Sequence, residues 1–122
     1  MAKDKLAVPF VKWAGGKRQL MESITPLLPK RISSYCEPFL GGGAVFFSIQ
    51  PKKAVVNDLN QDLMLVYETI RDDVDALISS LQTHENTADY YYMMRDMDRD
   101  KKAYSALSRV EKASRLLYLN KP

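Results

Sequence analysis

The 122-residue sequence has one cysteine, Cys36, and one histidine, His84. A single thiol cannot close an internal disulfide, which fits a reducing, cytoplasmic setting. With one histidine beside it, no His/Cys constellation for a metal is available. No apolar run approaches the roughly 20 residues that a membrane-spanning helix requires. The first dozen residues lack the apolar stretch and small-residue cleavage site of a secretory leader. There is no repeat, low-complexity tract or linker. Glycine is also scarce, and its five copies fall in two clusters, Gly15-Gly16 and Gly41-Gly42-Gly43.

What remains is the composition of an ordinary globular protein, 46% apolar and 27% charged, long enough for one core and too short for two. The net charge of +3 is unevenly placed: the first 35 residues carry +5 and the rest −2. A basic amino-terminal third suits attraction to phosphate, and it equally suits a solvated surface.

Leu20, Ile24, Leu27 and Leu28 recur at helical spacing over 17–28, with Pro26 and Pro29 disturbing the end. Ser34 to Phe39 reads as a short strand and Ala44 to Ile49 as the helix that the second glycine cluster opens. Lys53 to Asp58 is a second strand. From Gln61 the pattern is helical through Leu81, with a break expected at Arg71-Asp72-Asp73. A polar loop over 84–87 precedes a helix from Ala88 to about Arg95, a charged turn over Arg99–Lys102, and a last helix from about Ser105 to Leu119. The apolar face of that helix is Ala106, Val110, Ala113, Leu116 and Leu117. His84 reads as a surface residue and Cys36 as a small buried side chain in its strand.

Strand, glycine turn, helix, strand, helix is the opening of a doubly wound α/β sheet. Two strands are too few to complete one, since a parallel pair normally sits in a larger sheet covered on both faces. The expectation is therefore a partial domain, with uncovered surfaces that favour self-association.

A glycine-rich turn after a first strand lets backbone approach a cofactor closely, with unpaired N–H groups of the following helix behind it. Asp58 lies 17 residues beyond Gly41, near the spacing at which a carboxylate accepts ribose hydroxyls. A helix amino-cap, supplied by Asn57, Asp58 or Asn60, is the competing role. Neither glycine cluster matches the dinucleotide fingerprint, because position 46 is Phe. Gly15-Gly16-Lys17 is followed by Arg18, which lacks the magnesium-binding hydroxyl of a P-loop. An adenosine-bearing cofactor without a pyrophosphate, such as S-adenosylmethionine, accounts for both absences. Trp13 could then stack on the base or lie against a sulfonium, and Lys17 pair with a carboxylate. A buried Trp among surface lysines is the plain alternative.

Pro9-Phe10-x-Lys12-Trp13-x-Gly15-Gly16-Lys17, Glu37-Pro38-Phe39-x-Gly41-x-Gly43 and Asn57-Asp58-x-Asn60 resemble three successive motifs of the Dam-type DNA adenine methyltransferases. The resemblance extends over the whole chain, through Tyr90-Tyr91-x-x-x-Arg95 and Leu117-Tyr118-Leu119-Asn120. It implies a Rossmann-like, S-adenosylmethionine-dependent fold in a cytoplasmic protein of bacterial or phage origin. Residues 1–86 would be part of the cofactor-binding domain, and residues 87–122 the helical start of the DNA target-recognition region. It also implies that Trp13, Lys17, Phe39, Gly41, Gly43 and Asp58 bind the cofactor, that Lys12 faces double-stranded DNA, and that no metal takes part. The reaction implied is methylation of the exocyclic amine of a flipped-out adenine, as in restriction-modification systems.

The sequence departs from this family in one respect. Members carry an Asp-Pro-Pro-Tyr motif whose Asp accepts the target amine, and no Pro-Pro pair occurs in these 122 residues. No residue is nominated as catalytic. The expectation is a truncated form, inactive alone, with a non-catalytic S-adenosylmethionine- or DNA-binding remnant that oligomerises as the alternative.

Overall fold

A computed structural model of the chain describes residues 7–121; expectations that fall on residues 1–6 and Pro122 lie outside the described residues. The chain packs as two compact units, Met1–Leu59 and Asn60–Pro122.

The first unit is built on two three-residue strands, β1 (Tyr35–Glu37) and β2 (Ala54–Val56). They are parallel, in the register Tyr35↔Ala54, Cys36↔Val55 and Glu37↔Val56. Helix α2 (Ala44–Ile49) connects them and buries Val45 and Ile49. Phe46 stacks on Tyr35 and meets Phe47 edge-on, and Phe47 in turn meets Phe10. Val11 and Leu40 complete the small core.

Two expectations for this unit need correcting. The single helix over 17–28 is instead a 3-10 turn at Arg18–Leu20, one turn of α-helix at α1 (Met21–Ile24), and a second 3-10 turn at Thr25–Leu27. None of these pieces buries a residue. Without a face to pack on, and with the amide-less Pro26 in the last turn, nothing rewards a regular helix there. Cys36 is exposed rather than buried. Strand alternation turns Tyr35 toward α2 and Cys36 to the opposite face, beside Val55, which is 69% exposed.

The second unit is helical. Helix α3 (Gln61–Leu81) bends at Asp73, whose φ of −152° and ψ of 44° leave the helical region, within the expected break. Asn60 is its amino-cap, accepting the Leu63 N–H at 3.0 Å. Helix α4 (Ala88–Asp96) is capped by Thr87 and runs into a 3-10 turn, Met97–Arg99. The charged turn then shrinks to Asp100, because its side chain caps a further helix, α5 (Lys101–Ser105). The last helix, α6 (Arg109–Asn120), starts four residues later than expected. Ser108 and Glu111 form a reciprocal capping box that fixes its first turn.

Helix α6 packs on α3, whose Leu63, Val66, Thr69 and Leu77 are buried. Of the expected α6 face Ala113 is fully buried, with Ser114 and Arg115 beside it, while Leu116 and Leu117 are half-buried. Arg115 is satisfied there: Nε donates to Met94 O at 2.8 Å and an Nη to Arg95 O at 2.9 Å, tying the last carbonyls of α4. Asp98 and the Tyr104 ring complete its surroundings.

His84 is likewise not a surface residue. Its ring is half-buried and stacks on Tyr118, with Nδ1 2.6 Å from Tyr90 Oη and Nε2 2.6 Å from the fully buried Ser114 Oγ. One imidazole therefore joins the 84–87 loop, α4 and α6. The 84–87 loop is further held by the Tyr118 hydroxyl, which donates to Glu85 O at 2.8 Å.

Burial lowers the His84 pKa from its usual 6.5, because the charged ring gives up water. The unfolded chain then binds the proton first as pH falls, so the contribution of His84 to stability is intact above pH 6.5 and lost as pH drops through its lowered value. Thermal unfolding followed by circular dichroism should show a fall in Tm that begins below pH 6.5 and is smaller in His84→Gln. Identical pH profiles would remove His84 as the cause. Ser108→Ala, which deletes half of the capping box, should cost about 1 kcal/mol in denaturant unfolding.

Candidate functional site

Parallel strands deliver their carboxyl ends to the same edge, and there the three sequence motifs meet. Beyond β1 the chain turns through Pro38–Gly43; beyond β2 it runs through Asn57-Asp58. The two segments are stitched together. Asn57 N donates to Glu37 O at 2.8 Å, Leu40 N to Asn57 O at 2.9 Å, and Asn57 Nδ2 to Pro38 O at 3.4 Å. The Gly41 N–H donates to Asp58 Oδ2 at 2.9 Å. Asp58 therefore binds the glycine loop, while Asn60 caps α3.

Gly41 and Gly43 have φ of +54° and +80°, values that side chains resist. Gly43 is buried, opens α2 and accepts the Phe47 N–H at 2.8 Å. At Gly42 a Cβ would sit 3.0 Å from Val11 O, so the loop lies tightly against the segment that carries the first motif. In that segment Gly16 N bonds back to Trp13 O at 3.2 Å. The half-buried indole of Trp13 reaches Gly41, with Cδ1 at 3.8 Å from the position a Cβ would take.

Lys17 is held from within. Its Nζ donates to Glu37 Oε1 at 2.9 Å and to Phe39 O at 2.6 Å. Glu37 is buried, and its other oxygen accepts the Tyr35 hydroxyl at 2.6 Å. Burial, and then the neighbouring carboxylate, raise the pKa of Tyr35 well above the usual phenol value, so it stays a donor. Tyr35 and the buried pairing of Glu37 escaped the sequence reading. Opposite charges 20 residues apart carry no periodicity, and only the strand register brings them to Lys17.

Of the expected site residues, Trp13, Lys17, Gly41, Gly43 and Asp58 thus gather at one edge. The Phe39 backbone joins them, and Phe39 as a residue is 67% exposed. Lys12 is exposed on the segment entering Trp13. The edge offers one carboxylate beside a glycine loop, an indole face, an exposed phenyl ring and an ammonium. An ammonium carries three donors and Lys17 uses two, so one N–H remains for a ligand. No group of three His, Cys, Asp or Glu side chains that could hold a metal occurs among the described residues.

Residues 13–122 match the family described as D12 class N6 adenine-specific DNA methyltransferase. The chain is 43% identical over 122 residues to the type II methyltransferase M1.LlaDCHI of Lactococcus lactis subsp. cremoris, covering 98% of this chain and 43% of that protein. It is 37% identical to the type II methyltransferase M.MjaIII of Methanocaldococcus jannaschii, over 93% of this chain and 45% of that protein. It is 32% identical to the DNA adenine methylase of Haemophilus influenzae, over 93% of this chain and 40% of that protein. The chain therefore spans less than half the length of these curated relatives.

Removing Lys17 would leave the buried Glu37 with Tyr35 alone. Lys17→Met should lower stability by about 1–3 kcal/mol in denaturant unfolding. Combined with Glu37→Gln, it should cost less than the two single changes together. Additivity within about 0.5 kcal/mol would mean that the pair is not coupled.

Proposed function

The chain belongs to the D12 class N6 adenine-specific DNA methyltransferases, and on that premise we propose that it forms the S-adenosylmethionine-binding part of an enzyme that methylates adenine in DNA. The observation that carries this reading is the Gly41–Asp58 hydrogen bond, which draws the glycine loop, Asp58 and Trp13 to one edge.

The residues fit the cofactor. In this reading Asp58 accepts ribose hydroxyls at the carboxyl end of β2. The third N–H of Lys17 donates to the cofactor's carboxylate. Because Glu37 already balances the charge of Lys17, the lysine acts there as a hydrogen-bond donor more than as a free cation. Trp13 offers its face to the sulfonium, where cation–π attraction favours a positive centre. Phe39, Gly41 and Gly43 shape the rest of the pocket. When bound, S-adenosylmethionine supplies a methyl group activated by positively charged sulfur.

Lys12 is assigned to the DNA phosphates, and residues 87–122 to the start of the target-recognition region, with 1–86 belonging to the cofactor domain. The exposed Cys36–Val55 face is where a larger Rossmann-like sheet would be covered. Target adenine would be presented out of the duplex. These 122 residues contain no Asp-Pro-Pro-Tyr, so no group among them is assigned to accept the target amine. On their own they are expected to bind the cofactor without turnover.

Calorimetric titration of the chain with S-adenosylmethionine tests this. Saturable binding is expected, weakened at least about tenfold by Asp58→Ala and by Trp13→Ala, the loss of about 1.4 kcal/mol per tenfold. A folded chain that takes up no cofactor, or variants that bind as tightly as the parent, would refute the assignment.

A further inference from the structure

The cofactor edge uses only part of the basic amino-terminal third. Lys30 lies at the other end of the sheet, where β1 and β2 both begin, and there Lys52 and Lys53 join it. The juxtaposition follows from backbone geometry. Gln50 ends α2 in the left-handed region, φ 51°, which turns the chain sharply into Pro51. Tyr35 N then donates to Lys53 O at 3.0 Å, so the parallel register itself fixes Lys53 beside the entry to β1.

Between these segments lies an open cavity of about 990 Å³, whose lining includes Lys30, Lys52, Lys53, Ser33 and Ser48. Residues 25–35 and 48–53 contain no Asp or Glu. None of the three lysines is joined to a carboxylate among the described residues, and all three are exposed, as are both serines. Like charges that line one cavity without a carboxylate among them repel one another, and an anion would relieve that repulsion.

We infer that this basic cavity binds the phosphodiester backbone of DNA, at a site distinct from the cofactor edge and additional to Lys12. The inference rests on the reading of the chain as part of a DNA methyltransferase and deepens its DNA partner. Exposed ammonium groups and hydroxyl donors lining one open cavity match a polymer's phosphates better than a small buried anion, which would need fixed donors aimed inward. Such contacts position a duplex without reading its sequence. The strands are three residues long, about 10 Å, so one duplex lying along the unit can touch Lys12 at one end and this cavity at the other.

The test compares the chain with Lys30→Ala/Lys52→Ala/Lys53→Ala in duplex-DNA binding by fluorescence anisotropy across salt concentrations, and in S-adenosylmethionine binding by calorimetry. The triple variant should keep its cofactor affinity, bind duplex about tenfold more weakly, and show a log K against log salt slope flatter by about 2 to 3. Unchanged DNA affinity and slope would overturn the inference and leave the cofactor reading intact. A parent chain that binds the cofactor but no duplex at low salt would also overturn it. Saturation by inorganic pyrophosphate that duplex cannot displace would assign the cavity to a small anion instead. Should the triple variant fail to fold, DNA-induced amide shifts at Ser33, Ser48, Lys52 and Lys53 in the labelled parent decide, and their absence would overturn it.

Discussion

The parallel pairing of β1 with β2 is the constraint on which the rest of the first unit depends. It is only three residues long, yet each end of it assembles a different chemistry. At the carboxyl ends it sets Asn57 and Asp58 against the Pro38–Gly43 turn, where the Gly41 N–H meets the Asp58 carboxylate at 2.9 Å. At the amino ends it sets Lys53 against the entry to β1. A slip of one residue would turn Tyr35 and Glu37 to the opposite face. Glu37 would lose Lys17, and the glycine loop would lose its acidic partner.

Glu37 shows how a buried charge is accommodated in so small a unit. A buried carboxylate is costly unless it is paired, and here both oxygens are occupied, by Lys17 and Tyr35. The pairing also places Lys17, which contacts the Phe39 carbonyl as well. The ammonium is thereby fixed at the edge of the glycine loop with one donor to spare, before any ligand arrives. Pre-organisation of this kind lowers the cost of ordering a long side chain on binding.

In the second unit, polar side chains join the segments around an apolar core of Leu63, Val66, Leu77, Met94 and Ala113. Arg115 gathers the end of α4, and His84 joins three segments through two hydrogen bonds and a stacked ring. Buried polar groups that are fully satisfied specify one arrangement among many of similar apolar content. The described residues leave no buried side-chain polar atom without a partner.

The sequence alone determined the local elements whose causes are local. Both strands, α2, the kink near Asp73 and α4 follow from short-range pattern, turn formers and caps, and two glycine-centred motifs with the Asn57-Asp58-x-Asn60 motif behind them carried the resemblance to the family. Side-chain partners across the chain were decided by tertiary structure. Asn60 rather than Asp58 became the cap of α3 because Gly41, 17 residues away, offered Asp58 a donor. Cys36 came out exposed because strand alternation fixes only opposite faces, and which face is covered depends on where α2 lands. The helix expected over 17–28 broke into turns because a helical period yields a helix only when something packs on its face. His84 reads as a surface residue in sequence, since a polar side chain shows its burial only once its hydrogen-bond partners, up to 30 residues away, have been brought to it.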